Sequence, residues 1–205
     1  MQTITCSRGE LSPSKVVCVG RNYVEHIREL NNETPNEMVV FHKSNSAISA
    51  HLHSRHLDEP LHYEAELCFL VERGQFVSVA VGLDLTKRET QSRLKGKGLP
   101  WEKAKSFHAS ALFSRFVDLG DMPIEQLKLE LLINSVRVQA GGVSEMIHKP
   151  EQILTQILAY TDLEDGDIVM TGTPKGVGVV EQGDVFLARL KNADTIITEI
   201  QWVAQ

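Results

Sequence analysis

A chain of 205 residues has room for one domain with a sizeable core. Its 21 Lys and Arg stand against 27 Asp and Glu, a net charge of −6 with no basic run, which excludes a nucleic-acid surface as its main business. Residues 1–14 lack the basic start and apolar run of a signal peptide, no stretch approaches the ~20 apolar residues of a membrane span, and the scattered Cys6, Cys18 and Cys68 read as reduced core thiols, so a cytoplasmic protein is expected.

Residues 1–14 read as an N-terminal extension to a single domain over 15–205. Residues 15–20 form a short apolar strand stopped by glycine, and Asn22 is placed to cap a helix beginning near Tyr23. His26 and Glu29 then share a helix face, within hydrogen-bonding reach. A carboxylate that fixes an imidazole's tautomer makes it a better base, although a surface His-Glu pair has the same spacing. Residues 38–44 read as a strand with Lys43 at its end, where it solvates an edge or reaches an anion. His51, His53 and His56 lie close together, but no fourth ligand stands at a zinc spacing, so residues 50–60 read as a polar loop or strand.

Residues 67–71 are apolar and bounded by charge, as in a buried strand. A strand points Glu64 and Glu66 the same way, whereas a helix would separate them by more than half a turn. Their attachment points lie ~7 Å apart in a strand, a gap that two Glu side chains close around one ion. Buried carboxylates must be paired, protonated or bound to a metal. From Val77 to Leu85, valines and leucines alternate with Ser78, Ala80, Gly82 and Asp84, a small face that leaves space for a ligand beside Asp84. Three carboxylates and all-oxygen ligation suit Mg²⁺ or Mn²⁺ better than Zn²⁺. Glu-x-Glu alone also fits a solvated strand edge; the apolar run and the small-faced strand favour the metal.

Residues 86–94 have helical composition, with Arg88 and Gln91 three apart: a planar carboxylate binder beside an amide donor, or a solvated helix face. Residues 95–100 break the helix and read as mobile enough to close over a site. Residues 101–107 carry Lys103 and Lys105 on one strand-like face. Residues 127–138 alternate as a hairpin with Asn134-Ser135 at its turn. Residues 150–160 form an amphipathic helix with Ile153, Leu154, Ile157 and Leu158 on its apolar face. Residues 166–171 are a short strand running into Gly172-Thr173-Pro174-Lys175-Gly176-Val177-Gly178, which lacks the Gly-Lys-Ser/Thr ending of a nucleotide loop. An alternating strand near residues 196–203 closes the chain.

Taken in order, Gly20-Arg21-Asn22-Tyr23 with His26 and Glu29, Glu64-Ala65-Glu66, Leu83-Asp84-Leu85-Thr86-Lys87-Arg88, Leu99-Pro100-Trp101 with Ala104-Lys105-Ser106-Phe107, and the 172–178 loop resemble the fumarylacetoacetate hydrolase family. Within it the chain is most similar to the small branch of acylpyruvate hydrolases and oxaloacetate decarboxylases, from about residue 15 onward. The resemblance implies an α+β, predominantly β fold, a mixed β-sandwich or roll with a few flanking helices, usually a homodimer. It implies that Glu64, Glu66 and Asp84 hold Mg²⁺ or Mn²⁺, and that His26 and Glu29 form a water-activating dyad on a segment ordered by ligand. Lys105 matches the active-site lysine, and Arg21, Arg88, Gln91 and Thr173 match groups that bind the substrate. The first expectation is hydrolysis of an acylpyruvate such as fumarylpyruvate or acetylpyruvate to pyruvate and a carboxylic acid. The second is decarboxylation or keto–enol interconversion of oxaloacetate, again a small 2-oxo acid. Lys43-Ser44 in place of Lys-Pro, Asn134-Ser135 in place of Asn-Gly, and Gly141-Gly142-Val143 in place of a threonine-bearing stretch depart from the family pattern. Together with His108 they are expected to shape the far end of the pocket.

Overall fold

The computed structural model describes every residue except Asn32. The chain opens with a hairpin of β1 (Ile4–Cys6) and β2 (Gly9–Leu11), followed by β3 (Lys15–Gly20), α1 (Val24–Glu29) and β4 (Val39–Ser44). Three short strands, β5 (Arg55–His56), β6 (Glu59–Pro60) and β7 (His62–Tyr63), lead into the long β8 (Ala65–Glu72) and β9 (Gln75–Asp84). Next come α2 (Arg88–Gly96), α3 (Glu102–Lys105), β10 (Ala111–Phe113), β11 (Val117–Asp118), β12 (Leu127–Ile133) and β13 (Val136–Gly142). The chain ends through α4 (Pro150–Leu158), β14 (Ile168–Met170), β15 (Gly178–Val179), β16 (Val185–Asn192) and β17 (Thr195–Val203).

The larger sheet has the order β10-β9-β8-β14-β3-β4, with β11 also on β9; its β3–β14 pair is parallel and the others antiparallel. A second, antiparallel sheet runs β13-β12-β16-β17. Leu67, Phe69, Val81 and Leu83 of the first sheet and Leu127, Leu129, Leu131, Phe186 and Leu190 of the second share one core. On the other face of the first sheet, Cys18, Cys68 and Ala80 pack with Ile4 and Cys6 of the opening hairpin and with Phe116. β8 is therefore covered on both sides, which is why its sequence is a continuous apolar run rather than an alternation. α4 closes a third cluster with Ile153, Leu154 and Ile157 against Val17, Val19 and Val169. The mostly β, curled-sheet architecture is the one expected.

Several local expectations are corrected. Asn22 does not cap α1, whose N-cap is Tyr23. Its buried amide instead donates to His148 O at 3.0 Å and Thr171 O at 2.8 Å, a use that only long-range packing creates. Residues 102–105 are helical, not extended; residues two apart on a helix diverge, so Lys105 turns inward while Lys103 stays exposed. Leu158 is 41% exposed and lies outside the apolar face of α4. The small face of β9 is not open space: a Cβ on Gly82 would come within 2.6 Å of Leu112 O and 2.8 Å of Cys68 Sγ, so the glycine admits neighbouring protein rather than a ligand. Asn134 and Ser135 do form the hairpin turn, both with positive φ (49° and 69°), the signature of a type I′ turn.

Candidate metal centre and active site

The register of β8 and β9 pairs Ala65 with Leu83 and Glu66 with Gly82, and the Asp84 N–H donates to Glu64 O at 2.8 Å. Glu64, Glu66 and Asp84 thereby meet at one end of the strand pair. One oxygen of each lies within 4.8 Å of the others, and the three residues are 6%, 2% and 0% exposed. Among the described residues no other group of His, Cys, Asp and Glu converges in this way, His51, His53 and His56 included.

Three cations surround the carboxylates. Lys105 Nζ donates to Glu64 Oε2 (2.7 Å), Asp84 Oδ2 (2.6 Å) and Thr86 Oγ1 (2.6 Å), and Arg88 Nη2 bonds Glu64 Oε1. The third is Lys43, which of its two expected roles takes that of reaching an anion rather than solvating an edge. It is fully buried, with Nζ 2.8 Å from Asp84 Oδ1, because β4 is backed on that side by residues 105–110. The Lys43 ammonium is hydrogen-bonded to Lys105 O and to Ser110 Oγ (3.1 Å), so Asp84 Oδ1 has a positive neighbour but accepts no aligned hydrogen bond.

Burial opposes the charged form of Glu64, but Lys105, Arg88 and His26 outweigh it and hold its carboxyl well below the usual range. Burial likewise opposes the charge on Lys105, and Asp84 and Glu64 overcome it, so its pKa is raised. Glu66 has no cation in contact; burial, Asp84 and Glu64 push its carboxyl well above the usual range, against the nearby charge of Lys105 and the Gly172 N–H at 2.7 Å. Asp84 Oδ1, which accepts no hydrogen bond, and the carboxyl of Glu66, which has no cation in contact, fit a hard divalent cation, which takes oxygen donors alone. The residues present therefore suit Mg²⁺ or Mn²⁺.

The remaining walls form a cavity lined by Arg21, His26, Arg88, Gln91, Lys95 and Thr173, with Phe41 and Trp101 among its apolar residues. His26 lies on α1 with Nδ1 3.3 Å from Glu29 Oε2, and burial lowers its pKa against the pull of Glu64 and Glu29, so the ring is neutral at pH 7. Glu29 is itself held by the Gly176 N–H at 2.9 and 3.1 Å to its two oxygens. That loop needs glycine: Gly176 has φ +98°, and a Cβ there would lie 2.0 Å from Val138 O. Arg88 and Gln91 are hydrogen-bonded at 2.9 Å and face the cavity, so neither sits on a solvated helix face. Thr173 also lines the cavity, yet its hydroxyl donates to Ala65 O (2.8 Å) and accepts from Gln139 Nε2 (2.8 Å), which leaves no hydroxyl proton for a ligand.

One residue of the site escaped the sequence reading and another was misplaced by it. Gln139 on β13 is 1% exposed and joins the second sheet to the site, accepting from the Ala65 N–H (2.9 Å) and donating to Thr173 Oγ1 and Pro174 O. Its only signal was a polar residue on the inward side of an otherwise ordinary strand. Lys95, expected in the segment that breaks the helix, lies instead within α2, and its inward position follows from its sharing a helix face with Arg88 and Gln91.

Comparison with known proteins agrees with this geometry. The sequence profile of the fumarylacetoacetate (FAA) hydrolase C-terminal family matches residues 15–203. The chain is 39% identical to the mitochondrial oxaloacetate tautomerase FAHD1 of Bos taurus, over 84% of this chain and 85% of that protein. It is 35% identical to the oxaloacetate tautomerase YcgM of Escherichia coli, over 83% and 85% respectively. The crystal structure of fumarylpyruvate hydrolase from Pseudomonas aeruginosa, in complex with Mn²⁺ and pyruvate, superposes with a TM-score of 0.89 at 26% identity, covering 99% of this chain and 95% of that one. That of yeast ynq8, a fumarylacetoacetate hydrolase family protein, gives a TM-score of 0.81 at 28% identity, covering 95% and 94%. On the profile match and these identities, the chain belongs to the fumarylacetoacetate hydrolase family.

Proposed function

We propose that this protein catalyses the metal-dependent keto–enol interconversion of a small 2-oxo acid, with oxaloacetate as its substrate. The observation that carries the reading is the convergence of three buried carboxylates beside a neutral histidine in a cavity otherwise rich in cations. The names of the relatives at 35–39% identity favour oxaloacetate over acylpyruvates, since the fumarylpyruvate hydrolase is more distant at 26%.

Glu64, Glu66 and Asp84 would hold Mg²⁺ or Mn²⁺, which when bound supplies Lewis acidity toward the 2-keto oxygen. The chain's own groups do the rest. Arg88 and the ammonium of Lys105 provide positive charge for the substrate carboxylate and for the charge that develops on the keto oxygen. His26, neutral and tied through Nδ1 to Glu29, takes a proton from the carbon next to the keto group on Nε2. Glu29 steadies the resulting imidazolium. Return of that proton to oxygen gives the enol, and return to carbon restores the keto acid, so the reaction is balanced without water.

Hydrolysis of an acylpyruvate is the second reading, favoured by the same His26–Glu29 pair, which would deprotonate a water for attack on the distal carbonyl. The test is direct: purified protein with Mg²⁺ is given oxaloacetate, followed by the loss of its enol, and acetylpyruvate, followed by release of pyruvate. Accelerated tautomerisation that falls by about 10²-fold or more in His26→Ala supports the proposal. Release of pyruvate from acetylpyruvate with no effect on oxaloacetate establishes the second reading instead, and no effect on either substrate sinks both.

A further inference from the structure

The cavity has a second, cationic end beyond the carboxylates. α2 carries Arg88, Gln91 and Lys95 at i, i+3 and i+7, one face of the helix, and all three line the cavity. Arg88, in the first turn, is committed to Glu64 and Gln91. Lys95 stands ~10 Å further along the axis by helix rise. Its Nζ lies 4.9 Å from the centre of the Trp101 ring and has no carboxylate within ion-pair distance among the described residues.

Arg21 approaches from the turn after β3, at φ +56°. Its Nε is buried without a hydrogen-bond partner, and its guanidinium is held only by a long 3.5 Å contact from Nη1 to Glu33 O among the described residues. Burial first, then Arg21 and Arg88, and last Lys105 press the Lys95 pKa down to about 8, with Glu64 opposing them. Two neighbouring cations therefore repel each other at the end of the cavity, one of them with an orphaned donor. An anion between them would relieve the repulsion and supply the missing acceptor.

We infer that Lys95 and Arg21 seat the second carboxylate of the substrate, so that the enzyme selects 2-oxo dicarboxylates over 2-oxo acids ending in a methyl group. The inference rests on the 2-oxo acid reading proposed above and adds to it which acids are preferred. A ligand ending in methyl leaves both cations unpaired in a half-buried site, and rejection by unpaired polar groups is stronger than rejection by shape.

The experiment compares matched acids that differ only at the far end. Kinetics use oxaloacetate as substrate and 2-oxobutanoate as competitor; calorimetry with the Mg²⁺-loaded protein uses malate and 2-hydroxybutanoate, which are stable and report binding without turnover. Wild type should favour the dicarboxylate in both assays. Lys95→Met should cut that preference by about tenfold or more, the size of one lost charge-assisted hydrogen bond, and Lys95→Arg should restore most of it. A preference unchanged in Lys95→Met, with oxaloacetate still turned over, overturns the subsite and leaves the proposed function standing. A wild type that neither binds nor turns over any of the four acids overturns both.

Discussion

At the scale of single residues, charge was easier to find in the sequence than its destination. Glu64 and Glu66 were legible because strand geometry alone brings i and i+2 to one side and the apolar run after them says that the strand is buried, and Asp84 because it ends the small face of an alternating strand. Lys43 was not, because nothing local distinguishes a lysine at a solvated strand end from one whose neighbours 60 residues later wall it in. His26 and Glu29 were legible as a pair but not as a neutral one, since burial, which lowers the histidine's pKa, is a property of the whole cavity. That lowering has a kinetic consequence. A base must be unprotonated to act, so kcat/KM for oxaloacetate should rise with pH through a limb centred below the usual imidazole value of ~6.5 and then level off. Glu29→Gln removes a carboxylate that favours the imidazolium, so the limb should move to still lower pH while kcat falls. Rate profiles from pH 4.5 to 8 check this; a limb above 6.5 in the wild type would take His26 out of the base role.

At the scale of elements, propensity and patterning located most strands and the long helices, and failed where a backbone segment is short and held by tertiary contacts. α3 is four residues of helix with no side-chain cap, and no period can be read from one turn. The capping role given to Asn22 failed for a related reason. Its side chain matches the local signal for a helix start, yet it has been taken up by His148 and Thr171, more than 120 positions away. The β12–β13 hairpin is the opposite case, since alternation and a polar dipeptide fixed both strands and the turn between them. Its chemistry is nevertheless imperfect. A type I′ turn places its second residue at positive φ, and here that residue is Ser135 at 69°, exposed at the tip. Ser135→Gly relieves the strain at the cost of some unfolded-state entropy, so a net gain of about 0.5–1 kcal/mol is expected. It would appear as a higher urea midpoint with an unchanged slope. A midpoint equal to or below that of the wild type would mean that Ser135 is not strained.

At the scale of the whole molecule, the metal centre is where the architecture is joined. Glu64 and Glu66 belong to β8 and the residue before it, and Asp84 ends β9. Gly172, which holds Glu66, follows β14, and Gln139 ties the second sheet to Ala65 between the two glutamates. An ion bound by the three carboxylates would thus brace segments far apart in sequence, and an unfolded chain cannot present those oxygens together. Ligation of this kind must stabilise the folded state by mass action: a hundredfold excess over Kd adds about 2.7 kcal/mol. For a chain of this size that corresponds to a rise in Tm of about 5–10 °C. Thermal unfolding of chelator-treated protein, titrated with Mg²⁺ or Mn²⁺, should show Tm climbing with the logarithm of metal concentration. In Glu66→Ala one of the three oxygens is missing, so whatever its starting Tm, the slope against metal should be lost or much reduced. A wild-type Tm that ignores both metals, or a Glu66→Ala protein that responds like wild type, would mean that the carboxylates are a purely structural cluster neutralised by Lys43, Lys105 and Arg88, and the catalytic reading would fall with the metal.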